Sequence, residues 1–354
     1  MAVITYKCPN CGGDLQFDPD SQQYRCEYCR SKFNQKQLEE LAGDDDAARA
    51  KEPGANDGNP EAAAGAVLYN CPNCGAEIVT DESTTATFCY YCHNPVVLAG
   101  KMQGEYHPDH VLPFAIDKTE ALRIFEQWIG KKKYIPKAFY SKDQIEKMAG
   151  VYFPYWLYSC EVDGRLEAEA EKRKIWTTGN IQYTETQKFD VTREGQMQVD
   201  HVPRNALSKA NRKLAEGVLP FEMEKLKPFH MGYLSGFMAE KRDLGEESLR
   251  PELQREVEDF AVDTMLSEVG GYDSVMVRHK EMELKDEKWS YALLPVWTLT
   301  YRDPKSDTIY YFACNGQTGK VCGELPVDNG RLMLLFASLF VPVFIALLIV
   351  GYFL

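Results

Sequence analysis

The longest uninterrupted apolar stretch closes the chain, where Leu332 to Leu354 reads LMLLFASLFVPVFIALLIVGYFL without a charged side chain. As a helix these residues reach ~35 Å at about 1.5 Å each, enough to cross a hydrocarbon core. The buried helix of a soluble domain is usually shorter and keeps a polar stripe, so the pattern predicts a lipid span over residues 331–354. Pro342 is compatible with a span, because transmembrane helices tolerate proline. The opening MAVITYKCPNC has no apolar signal-peptide core. The expected topology is a single-pass tail anchor, with everything before residue 331 displayed from one membrane face.

Upstream, the periodicities switch between helix and strand. Asp117-Lys-Thr-Glu120 is a capping box that opens a helix with Ala121, Leu122, Phe125, Trp128 and Ile129 on one face, ended by Gly130. Ser141 is placed to cap a shorter helix reaching Gly150. VYFPYWLYSCEVDG and RLEAEAEKRKIW alternate as the two arms of a hairpin, and Thr184 to Val202 reads as further strand pairs. Asn205 is the expected cap of a helix over NALSKANRKLAEG. Pro251 to Val269 is amphipathic, with Leu253, Val257, Phe260, Ala261 and Leu266 on its apolar face and Gly270-Gly271 as its stop. ALLPVWTLTYRD and TIYYFACNG form a hairpin about a turn at Pro304 to Asp307, and Asn315 to Lys320 turns again into VCGELPV. Leu112-Pro-Phe114 recurs as Leu219-Pro-Phe221, and Pro154-Tyr-Trp156 as Pro295-Val-Trp297, which suggests two divergent halves. The expected class is α+β, with a β-rich body over residues 100–330.

The 354 residues allow two or three domains. Residues 34–41 can form a short helix. Apart from that, residues 34–66 hold no aromatic side chain and are rich in Gly, Pro, Asp and Ala, as in a flexible acidic linker. The net charge of −13 opposes binding to a phosphate backbone unless a local patch overrides it.

Eight of the eleven cysteines form two quartets, Cys8, Cys11, Cys26, Cys29 and Cys71, Cys74, Cys89, Cys92. Both have the spacing C-x2-C-x14-C-x2-C, and each cysteine of the first recurs 63 residues later in the second. Four soft thiolates at this spacing suit one tetrahedral Zn²⁺, with each C-x-x-C forming a knuckle at a hairpin tip. Two structural zinc ions are therefore expected, in modules at residues 1–33 and 67–99. Four protein thiolates leave no open position for water, so a hydrolytic zinc is not expected. Gly12 and Gly75 can take positive φ after their knuckles, whereas Arg30 and His93 stand where the second knuckles would hold glycine.

YKCPNCGGDL with YRCEYCRSKF, and YNCPNCGAEI with FCYYCHNPV, resemble zinc ribbons of the TFIIB type. With PYWLY, LPVW, YFACNGQTGKVCGELP and the terminal span, the chain is similar to a bacterial family of TFIIB-type zinc-ribbon membrane proteins. Members of that family are often labelled as replication-restart or primosomal helicase-like proteins, but no Walker motif is present here. Some relatives work beside flotillin-like SPFH proteins and phage-shock-protein-A-type membrane-stress proteins. The resemblance therefore implies membrane-held partners of those kinds.

Charge separates the two functions that ribbons commonly serve. The first ribbon balances Lys7, Arg25, Arg30 and Lys32 against Asp14, Asp18, Asp20 and Glu27, and the second carries Glu77, Asp81 and Glu82 with no basic residue. Each tetrathiolate zinc centre adds a further −2, so two of them take −13 to −17. A DNA reader carries a basic face. The expected function is a non-enzymatic adaptor that brings cytosolic proteins to the cytoplasmic membrane, with the bulk of the chain in the cytoplasm. Zinc-ribbon binding of nucleic acid at the membrane is the alternative.

Other motifs add little. GQTGK at Gly316–Lys320 lacks the spacing of a phosphate loop and reads as a β-turn. His107 and His110 read as exposed imidazoles, and Cys160, Cys314 and Cys322 as small core residues. Lys131, Lys132, Lys133, Lys137, Lys142 and Lys147 form a basic cluster, either a solvated face or a surface for anionic lipid. No nucleophile with a base, paired carboxylates or nucleotide fingerprint stands out.

Overall fold

The computed structural model describes residues 6–42, 66–71, 77–81, 83–89, 95–98, 102, 104–304 and 306–353. Contacts divide the chain into two compact units. One comprises the chain up to Pro154, Leu207–Lys241 and Leu293 onward, and the other Tyr155–Ala206 and Arg242–Ala292. The class is α+β, with a sheet-rich body, a four-cysteine cluster near the amino terminus and an apolar carboxyl-terminal helix.

The first unit opens with an antiparallel sheet of β1 (Leu15–Asp18), β2 (Gln23–Cys26) and β3 (Lys32–Phe33). Strand alternation buries Leu15, Phe17, Tyr24, Cys26 and Phe33. Helix α1 (Gln35–Ala42) follows a reciprocal cap, in which Gln37 N donates to Asn34 Oδ1 at 2.8 Å and Asn34 N to Gln37 Oε1 at 2.9 Å. β4 (Ala66–Asn70) and β5 (Glu77–Asp81) form a two-stranded hairpin. β6 (Thr84–Phe88) pairs with β7 (Pro95–Val97).

After β8 (His110–Val111), helix α2 (Lys118–Gly130) starts at the expected cap, with Glu120 N donating to Asp117 Oδ1 at 2.7 Å. Its buried Ala121 and Phe125 lie on the predicted face. Helix α3 (Lys142–Ile145) is a single turn, and Ser141 makes no side-chain cap to it. Next comes β9 (Ala149–Thr178), then β10 (Ile181–Asn205). Helix α4 (Arg212–Gly217) is capped by Asn211, not Asn205, with Lys213 N donating to Asn211 Oδ1 at 3.1 Å. Asn205 instead ends β10, buried opposite Tyr155, so pairing claims it.

The remaining strands of this unit are β11 (Lys227–Pro228) and β12 (Met238–Glu240), and after helix α5 (Glu246–Ser267) come the end of β13 (Ser274–Arg302), β14 (Ile309–Asn315) and β15 (Val321–Gly323). β12 pairs antiparallel with β6, through Ala239↔Ala86, and parallel with β9. β6 and β7 thus belong to the sheet of the body, whereas β4 and β5 form a sheet of their own. The predicted terminal hairpin is present, running from Val296↔Asn315 to Arg302↔Ile309. Phe114, from the first LPF motif, sits among aromatic rings: Phe237 stacks on it at 4.2 Å, with Tyr152 at 5.0 Å and Trp297 at 5.2 Å.

In the second unit β10 folds straight back along β9, from Ile181↔Thr178 to Asn205↔Tyr155, with one register shift between Val199 and Val202. This corrects the reading of VYFPYWLYSCEVDG and RLEAEAEKRKIW as two arms: they are one strand, and the turn lies at Gly179, with φ +65°. Gly164 is paired mid-strand with Gly195. A Cβ there would meet Met265 Cε at 2.5 Å and Met282 Sδ at 2.9 Å, so close packing rather than turning requires the glycine. Thr184 to Val202 likewise pairs with β9 and not with itself.

Tyr158, Cys160 and Val162 on β9 form a core with Leu253, Val257 and Ala261 of α5. The helix begins five residues before Pro251, and Phe260, expected on its apolar face, is exposed. Far along the hairpin, Trp176 and Tyr183 stack at 5.6 Å with both rings exposed.

Helix α6 (Asn329–Phe353) closes the chain. Over Asn329–Gly351 it is long and apolar enough to cross a membrane, and none of that stretch is buried against the protein.

Candidate metal centre

The sequence elements around Cys8, Cys11, Cys26 and Cys29 are two matching turns. In the first, Gly12 N donates to Cys8 O at 2.8 Å with Gly12 at φ +72°. In the second, Arg30 N donates to Cys26 O at 3.0 Å with Arg30 at φ +60°. Arg30 thus takes the left-handed conformation that glycine takes in its twin, at a steric cost that a Cβ always brings there.

The four sulfurs lie within 4.8 Å of one another. Cys8 Sγ to Cys29 Sγ and Cys11 Sγ to Cys26 Sγ are each 3.5 Å. A tetrahedral zinc with bonds of about 2.3 Å requires sulfurs about 3.8 Å apart, so the donor set fits such an ion. Cys8 and Cys26 are buried and Cys11 and Cys29 exposed, so the cluster sits at the module's surface.

Electrostatics point the same way. Asn10 Nδ2 donates to Ser31 Oγ at 3.0 Å, and Cys29 Sγ donates to the same hydroxyl oxygen at 3.2 Å. That hydroxyl, with the Ser31 backbone amide, holds the Cys29 thiol down to about 6. At Cys11 the Gly13 amide pulls downward, but the neighbouring Cys26, Cys29 and Cys8 sulfurs outweigh it and the thiol is pushed up to about 12. The Cys29 thiolate forms readily and the Cys11 thiol resists, because negative charge accumulates in a small volume until a dication compensates it. Ser31 was not singled out by motif reasoning, although its place two residues after Cys29 was the available signal.

The module is held to the body by a segment far away in sequence. Phe17 N donates to Ser235 O at 3.0 Å, and Ser235 Oγ donates to Leu15 O at 2.5 Å. Phe17 meets Tyr233 edge-on at 5.1 Å, and Tyr233 Oη donates to Gln35 Oε1 at 3.1 Å. No spacing rule reveals this docking.

Of the second quartet, Cys71 and Cys89 are buried together with Tyr69, Val96 and Leu98. Cys74 and Cys92 lie outside the described residues, as do Gly75 and His93. Among the described residues, Cys8, Cys11, Cys26 and Cys29 are the group able to hold a metal. His107 packs edge-on against Phe229 at 5.3 Å. Cys160 and Cys314 are buried core residues as expected, with burial pushing the Cys314 thiol up to about 12. Gly316–Lys320 is a turn, closed by Gly319 N to Asn315 O at 3.0 Å and Asn315 N to Lys320 O at 2.8 Å.

Fold and site together define an α+β protein with a four-cysteine centre and an apolar helix of membrane-spanning length. No family model matches the chain. It is 33% identical to the Bacillus subtilis (strain 168) protein named "Uncharacterized protein YdjG", over 349 residues that cover 99% of this chain and 98% of that one. The chain belongs to the family of YdjG. No solved structure matches it.

Proposed function

We propose that the protein is a membrane-anchored zinc-ribbon adaptor, with two structural zinc ions, whose ribbons recruit protein partners to the cytoplasmic face of the membrane. The observation that carries this reading is the closed set of four cysteine sulfurs within 4.8 Å, at the surface of a small module. Four thiolates saturate zinc, so the centre folds and presents a surface instead of activating water. Tyr28, between the two cysteines of the second knuckle, is 76% exposed, and a projecting aromatic of this kind suits a protein contact. The acidic balance of the chain disfavours nucleic acid. Cys71 and Cys89, with Cys74 and Cys92, are assigned the second zinc on spacing. SPFH-type and phage-shock-protein-A-type proteins are the partner classes that the family resemblance supplies.

Crosslinking and pull-down from intact membranes tests the reading. Wild-type protein should capture protein partners and retain two zinc ions, measured by elemental analysis. Cys71→Ser with Cys74→Ser should lose capture while the chain stays in the membrane after carbonate washing. Capture unaffected by loss of zinc would overturn the adaptor role.

A further inference from the structure

The first turn of α6 is fastened to the loop that follows α2. Asp328 N donates to Tyr134 O at 2.6 Å, and Arg331 Nη1 reaches Ile135 O at 3.5 Å. Asp328 in turn caps α6, accepting from Gly330 N at 3.1 Å and Arg331 N at 3.2 Å, and pairs with Arg331 Nε at 3.3 Å. Tyr134 has φ +62°, an uncommon conformation for an aromatic residue, and its carbonyl is the one that meets Asp328. The strained residue and the helix cap therefore form a single fixed joint.

That joint places the basic cluster. Lys131, Lys132 and Lys133 lead directly into Tyr134, and Lys137 follows Ile135; all four lysines are exposed. None of the four makes an ion pair with a carboxylate among the described residues. Lys132 lies over the Trp128 ring at 5.8 Å, leaving its ammonium at the surface. The Asp328 carboxylate is occupied by Arg331 and the helix amides, so it does not neutralise the lysines. Unpaired positive charge in a chain of net −13 is thus concentrated beside the residue where the apolar helix begins.

We propose that Lys131, Lys132, Lys133 and Lys137 form a collar that binds the phosphate headgroups of anionic phospholipids where α6 enters the bilayer. The inference rests on the membrane reading of α6 and adds the lipid class it meets. Point-charge ammonium groups on long stems suit mobile headgroup phosphates, and each lysine held near an anionic surface favours binding by roughly fivefold. Excess lysine on one flank of a span also orients that flank toward the cytoplasm.

The test reconstitutes the full chain into vesicles of phosphatidylcholine alone, or with about a third phosphatidylglycerol. Flotation reports insertion, and amine-reactive labelling read by mass spectrometry reports each lysine. Phosphatidylglycerol should slow labelling of the four collar lysines at least about threefold relative to Lys225 and Lys288, and ~0.5 M salt should reverse the effect. Equal labelling in both vesicles, in chain that floats, overturns the collar and leaves the anchor standing. Equal protection by inorganic phosphate without phosphatidylglycerol, or equal protection of Lys225 and Lys288, overturns it too. Chain that does not float removes the anchor and the collar together.

Discussion

Ser235 clasps the edge of the first cysteine module from both ends of its own residue: its hydroxyl donates to Leu15 O and its carbonyl accepts from Phe17 N. Leu15 and Phe17 are the two buried residues of β1, whose partner strand ends in Cys26. Cys26, one of the four cysteines able to hold a metal, and the docking at Ser235 therefore share one small sheet.

Zinc removal should reach the body through that sheet. In protein treated with chelator, or carrying Cys8→Ser with Cys11→Ser, hydrogen exchange should speed up at residues 15–17 and also at 233–237. Zinc content should fall by one ion per chain. Unchanged exchange at 233–237 would show that the docking survives without the metal.

Arg30→Gly should stabilise the module by roughly 1 kcal/mol, because glycine meets no Cβ penalty at positive φ. Arg30 is exposed and its φ is +60°, so little packing is lost. The midpoint of zinc release under competing chelator is the measurement, and it should shift toward tighter retention.

Asn315 is buried and uses its whole amide. Nδ2 donates to Val218 O at 2.9 Å and Pro220 O at 3.1 Å, while Oδ1 accepts from Gln317 N and Thr318 N, each at 2.9 Å. Asn315→Ala would leave these buried groups without partners, at roughly 2–4 kcal/mol. Asn315→Asp should cost more, since it sets a carboxylate against two carbonyl oxygens. Denaturant unfolding distinguishes the two.

Asp18 provides a pH test. Burial pushes its carboxyl upward, but Ser21 Oγ at 2.7 Å and Lys32 Nζ at 3.2 Å outweigh that and hold it below its ordinary 3.8. A depressed folded-state value means stability that is present above 3.8 and is lost as pH falls through the folded value. The stability gap between wild type and Asp18→Asn should therefore be full at neutral pH and close below about pH 4. A gap independent of pH would show that the effect is packing.

Spacing and period established much from residue order alone. Two C-x-x-C pairs and the shape of a hairpin tip bring four sulfurs together locally, so the candidate metal group was legible at Cys8, Cys11, Cys26 and Cys29. Asp117 with Glu120, and the run from Leu332, are likewise local: a cap needs three residues, and a span needs only continuous apolar length. Packing across long sequence distances decided the rest. Gly164 looked like a turn until Met265 and Met282 closed on its missing Cβ, and Asn205 looked like a cap until Tyr155 paired with it. Ser235 holding Phe17, and Tyr134 holding Asp328, join residues some two hundred positions apart through their main chains. Backbone hydrogen bonds of that kind are blind to side-chain identity, so no pattern of residue types announces them; they exist only once the chain has folded.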